Sequence, residues 1–149
     1  MLHMQEQIQQ ELDSLRRFIG VDFVALALTE PLEHTIRFQY VSGNRNDRYK
    51  RIVLRPGIGL AGKVIRMGRP ILMHFTEPQS LDDPREYPIL LAEGLKSVAG
   101  VPMEVDGRVL GMMLVGSRTY REFIDNDVAH ISQKAHQFTK WLQLLPDFA

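Results

Sequence analysis

Gly57-Ile-Gly-Leu-Ala-Gly-Lys63 is the segment of this chain whose residue types and spacing are best suited to chemistry, and that chemistry is anion binding. Gly57 and Gly59 permit positive φ and a close backbone turn. Leu60 to Val64 then begin a helix whose first N–H groups have no partner within the helix. Free donors at the positive end of a helix dipole suit a small negative ion. The plainer reading, that the glycines only shape a turn, stays open at this point. Read literally, the segment also matches the dinucleotide fingerprint G-x-G-x-x-G, with Glu77 placed where a ribose-binding acid would sit. That fingerprint requires a hydrophobic strand running straight into the first glycine. Here Arg55-Pro56 interrupts after Ile52-Val-Leu54, so the nucleotide reading fails.

Other chemistries are thinly supplied. The chain has no cysteine, which removes thiol catalysis, thioether attachment of a chromophore, disulfides and thiolate metal sites together. The five histidines, His3, His34, His74, His130 and His136, show no spacing that groups them around a metal or haem, although His74 lies nearest the glycine-rich segment in the expected fold. No serine sits in a nucleophile elbow. The acidic group Asp82, Asp83 and Glu86 reads as a solvated loop. No enzymatic activity is expected, and no cofactor. A net charge of zero and a pI near 7.0 give no electrostatic reason to expect nucleic acid or a membrane surface as partner. The local exception is Arg45, Arg48, Lys50, Arg51 and Arg55, opposed within that stretch by Asp47 alone. It reads as a solvated loop or a receiver for an acidic partner. No apolar run approaches the roughly 20 residues of a membrane span, and the N-terminus lacks signal-peptide character, so a cytoplasmic protein is expected.

The elements that must position these residues can be read from periodicity. At 149 residues the chain is expected to form a single domain, 1–149. Ile8, Leu12, Leu15 and Ile19 mark an amphipathic helix over 5–19, ended by Gly20. Asp22 to Leu28 is apolar on both parities and reads as a strand buried on both faces. Thr35 to Val41 alternates, which predicts Ile36, Phe38 and Tyr40 on one face and Thr35, Arg37, Gln39 and Val41 on the other. A helix over Leu60 to Met67 stops at Gly68-Arg-Pro70, a short strand follows at Ile71 to Met73, and 75–86 is a polar connection. Pro88 occupies the first position of a short helix closed by Gly94. Asp106-Gly107 joins the strands Ser97–Val105 and Arg108–Val115 in an antiparallel hairpin. Ile124, Val128, Ile131, Ala135, Phe138, Leu142 and Leu145 define a C-terminal helix over 125–145. The class is α+β with a mainly antiparallel sheet.

This order resembles a GAF domain over nearly the whole chain. The resemblance is carried by Gly57-Ile-Gly-Leu-Ala-Gly62 and by the paired strands around Val98-Ala-Gly-Val-Pro-Met103 and Gly107 to Gly116. It implies a central antiparallel sheet with the N- and C-terminal helices on one face and a ligand pocket, built from 35–117, on the other. Tyr40 to Ile52 and Tyr87 to Ser97 are more specifically similar to the stand-alone NreA-type nitrate receptors. That likeness implies a cytoplasmic nitrate sensor beside a sensor histidine kinase, with the anion held by backbone amides at helix starts. Carried over by position, the donors are Leu60, Ala61 and Ile89, and Phe38 stands where the receptors have an aromatic residue. Phe lacks the N–H that Trp would donate there. A homodimer through the terminal helices is expected, because Trp141 and Leu144 add apolar surface beyond the heptad line.

Two other functions compete with the anion sensor. Cyclic-nucleotide or other metabolite binding is common in the fold, but it needs a larger cavity, and the chain has no N-K-F-D-E-like segment. A ligand-free interaction module would have its pocket filled, with Met103, Met112 and Met113 as the filling residues. GAF proteins that reduce free methionine sulfoxide use cysteines, which this chain lacks.

Overall fold

The structure is a computed structural model that describes residues 2–74 and 86–144. Glu77, Asp82, Asp83, Leu145 and nearly all of the expected polar connection lie outside the described residues. The chain runs α1 (Leu2–Ile19), β1 (Phe23–Glu30), β2 (Thr35–Ser42), a 3₁₀ turn (Arg48–Arg51), β3 (Val53–Leu54) and α2 (Gly59–Met67). It continues through β4 (Ile71–His74), α3 (Pro88–Glu93), β5 (Ser97–Val105), β6 (Arg108–Ser117) and α4 (Asp125–Leu142). The expected class is thus observed, with boundaries moved by a few residues. The C-terminal helix ends at Leu142, short of the expected 145.

Among the described residues six strands form one antiparallel sheet in the order β3-β2-β1-β6-β5-β4. Its centre, β1 and β6, is covered on both faces, as the unbroken apolar run of β1 requires. Val24, Leu26 and Leu28 point into a core shared with Ile8, Leu12 and Leu15 of α1 and Ile131, Ala135, Phe138 and Leu142 of α4. Phe23, Ala25 and Ala27 point the other way, into a core shared with Leu60, Ala61 and Val64 of α2 and Ile89 and Leu90 of α3. Asp106 and Gly107 adopt φ of 50° and 78°, the left-handed pair that the tight hairpin between β5 and β6 demands.

The alternation predicted for β2 holds only as far as Phe38. Ala27 pairs with Phe38 and Leu26 with Tyr40, which leaves Gln39 as the extra residue of a β-bulge. Beyond it the phase reverses. Val41 joins Ile36 and Phe38 in the core of α2 and α3, while Tyr40 packs into the core of α1 and α4. Burial there pushes the Tyr40 phenol above its ordinary pKa.

The periodic stripe of α4 is used within the chain, lying on β5 and the sheet centre. Ile131, Ala135, Phe138 and Leu142 are buried, whereas Ile124, the N-cap residue, is half exposed. Trp141 meets Phe138 edge to face at 5.4 Å and joins the same core. Of the apolar surface expected beyond the stripe, Leu144 remains outside, 70% exposed. The carboxylate of Asp127 accepts from the Ile124 amide at 3.0 Å, and Asp125 and Asp127 complement the dipole at that end.

Candidate functional site

The glycine-rich segment builds its helix start by close packing. Gly57 and Gly59 have φ of 86° and 68°, and the Gly57 amide donates to the carbonyl of Gly62 at 2.9 Å. A Cβ on Gly62 would stand 2.4 Å from the carbonyl oxygen of Arg55, so the loop can fold over the first turn only because that position is bare. The N-cap residue is Ile58, which provides no side-chain hydrogen bond to the helix start. Gly59, Leu60 and Ala61 are nevertheless buried. A buried helix start without a side-chain cap needs acceptors from elsewhere. Helix α2 reaches the sheet through Val64, which packs where Gly100 of β5 leaves room.

A second helix start faces the same core. Tyr87 is the N-cap residue of α3, again without a side-chain cap bond, and Pro88 fills the first turn without an N–H of its own. The Leu90 amide is already taken by the Tyr87 carbonyl at 2.9 Å. Phe38, Leu60, Ala61 and Ile89, the four expected site residues, all lie in the core between the sheet and α2 and α3, at exposures of 4%, 1%, 0% and 2%. Sequence reasoning missed the cation beside them. Lys63 Nζ donates to the Tyr87 hydroxyl at 2.7 Å and sits 4.8 Å from the centre of that ring. The positive charge thereby ties the second turn of α2 to the residue that opens α3. Its place four residues after Gly59 was the available signal.

A polar knot holds the other end of α3, and this too went unread. Glu93 is fully buried. Its Oε1 accepts from the Arg45 amide at 2.8 Å and from the Arg118 guanidinium at 2.6 Å. Arg118 also donates to the carbonyls of Glu93 and Gly43, and its own amide donates to Asp22 at 2.7 Å. The Arg45 side chain donates to the carbonyls of Leu91 and Ala92, and Asn46 donates to that of Ala92. Arg45 is therefore a helix-end cap as well as a member of the basic stretch.

The remaining candidates lie elsewhere. Of the three methionines offered as pocket filling, Met112 belongs to the core of α2 and α3, whereas Met103 and Met113 belong to that of α1 and α4. His3, His34, His74 and His136 are exposed, and His130 stacks on Phe18 of α1 at 4.8 Å. Among the described residues no group of three His, Cys, Asp or Glu could hold a metal ion. None of the described helices is long and apolar enough to cross a membrane.

A six-stranded antiparallel sheet with the terminal helices on one face and two short helices over a core on the other is the arrangement that the family resemblance implied. The GAF domain family model matches residues 3–140, and the chain belongs to that family. It is similar to NreA of Staphylococcus aureus, in a form mutated in its nitrate binding site. That identity is 36%, with 85% of this chain and 96% of that one covered and a TM-score of 0.76. It is also similar, at 24% identity over 132 residues, to the HTH-type transcriptional activator RamA of Corynebacterium glutamicum. The match covers 88% of this chain but spans only 46% of RamA's length. The type II free methionine-R-sulfoxide reductase of Thermoplasma acidophilum shares the fold at 18% identity, with coverages of 95% and 93% and a TM-score of 0.72.

Proposed function

We propose that this chain is a cytoplasmic, non-enzymatic receptor for nitrate or a similar small anion. The observation that carries the reading is the buried start of α2, where Gly59, Leu60 and Ala61 are enclosed in an apolar core without a side-chain cap. The amides of Leu60, Ala61 and Ile89 hold the anion, and Phe38 forms part of its wall. Fixed dipoles with one cation nearby, Lys63, favour a monovalent planar ion over phosphate or sulfate. Similarity to an NreA mutated in its nitrate binding site supports the choice of anion. The ligand effect passes by protein contact to a sensor histidine kinase, through the layer formed by α1 and α4.

Titration of the ¹⁵N-labelled chain with nitrate tests the reading directly. The amide resonances of Leu60, Ala61 and Ile89 should move together and saturate, with sulfate producing no comparable shift. Saturable shifts confined to other residues, or none, would reject the site.

A further inference from the structure

Glu93 sits badly in an anion receptor. Its carboxylate is fully buried at the last residue of α3, four positions from Ile89, or about 6 Å along the helix axis. Oε1 is satisfied by the Arg45 amide and by Arg118, but among the described residues Oε2 has no partner. A bare negative charge so close, in surroundings of low dielectric, would repel any anion at the start of the same helix. Arg118, 2.6 Å away, is the group placed to cancel it. The Arg45 guanidinium serves the adjoining carbonyls of Leu91 and Ala92 instead.

We propose that Glu93 and Arg118 are a positioning pair for the anion site: Glu93 anchors the far end of α3, and Arg118 neutralises that anchor so that the ligand meets no net negative charge. The inference rests on the anion reading above. It assigns the two residues opposite effects on binding, although both stabilise the fold. A merely structural pair would lower affinity whichever partner was removed. Here loss of Arg118 leaves the buried carboxylate without its cation one turn from Ile89, whereas Glu93→Gln keeps an oxygen acceptor for the Arg45 amide and removes the charge. Arg118 then keeps the carbonyls of Glu93 and Gly43 as acceptors.

The test is nitrate calorimetry at mildly alkaline pH on the parent chain, E93Q, R118M, R118K and the double variant E93Q/R118M, with circular dichroism confirming the fold of each. R118M should bind about tenfold more weakly, R118K within about threefold of the parent, and E93Q at least as tightly as the parent. Adding E93Q to R118M should restore most of the loss. Weaker binding by E93Q than by the parent, or no recovery in the double variant, would overturn the pair while leaving the receptor reading intact. Absence of nitrate heat from the folded parent would overturn both. If R118M alone does not fold, E93Q and the double variant still decide the matter.

Discussion

At the scale of single residues, the proposed anion site combines apolar side chains with backbone amides as its polar groups. Phe38 is the position where a side chain can add to that. It is 4% exposed on the wall shared with Leu60 and Ile89. Phe38→Trp supplies an indole donor, and one net hydrogen bond corresponds to roughly three- to tenfold tighter nitrate binding. Calorimetry should show that gain, and unchanged or weaker affinity would remove Phe38 from the wall. Phe38→Ala should destabilise the fold by about 3 kcal/mol through the cavity it leaves, and weaken nitrate binding by admitting water. Urea unfolding and the same calorimetric titration measure the two effects separately. Motif and resemblance pointed to these four residues, and the structure gathers all four in one core. Lys63, Tyr87, Glu93 and Arg118 escaped because each acts through a partner 24 or 25 positions away.

At the scale of elements, turn chemistry and periodicity were read correctly where they are local. Gly20, Gly68, Gly94 and the Asp106-Gly107 hairpin all take positive φ where the chain stops or reverses. The periodic run of α4 was also real, but whether it faced a sheet or a second chain is a tertiary fact that no spacing contains. The bulge at Gln39 was illegible for a similar reason: the extra residue is defined only by the partner strand. The element most exposed to a small change is α2. Gly62→Ala would drive a methyl group into the Arg55 carbonyl, a contact with backbone that cannot swing aside. A loss of about 2 kcal/mol is expected in urea unfolding, together with weakened nitrate binding as the first turn is pushed off its loop. A variant as stable and as avid as the parent would mean that this packing is slack.

At the scale of the whole molecule, two cores share one sheet, and the layer of α1 and α4 is the partner surface proposed above. Phe18, 75% exposed beside His130, and Leu144 are the large apolar groups it leaves in solvent. Self-association through this layer, the homodimer expected from the sequence, should appear as a dimer mass in light scattering at high micromolar concentration. Phe18→Glu should shift that mass toward monomer, and a monomeric parent chain would refute the proposal. The bulge in β2 has its consequence at this scale as well. With Gln39 bulged out, Phe38 lines the core of α2 and α3 while Ser42, two residues past Tyr40, reaches the other layer, where its hydroxyl donates to Asp13 and accepts from Arg16 of α1. Were Gln39 instead to pair in regular alternation, the parity of everything downstream would invert: Val41 would turn toward α1, and the Tyr40 phenol and Ser42 hydroxyl would turn into the core of α2 and α3, whereas deleting Gln39 leaves every face as it is. Substitutions along this strand can be graded by size and polarity, but a change in its length must be matched by the presence or absence of the bulge. Relatives that keep both the aromatic wall and the α1 anchor should therefore have three residues with a bulge, or two without one, between the positions of Phe38 and Ser42, however freely the residues themselves vary.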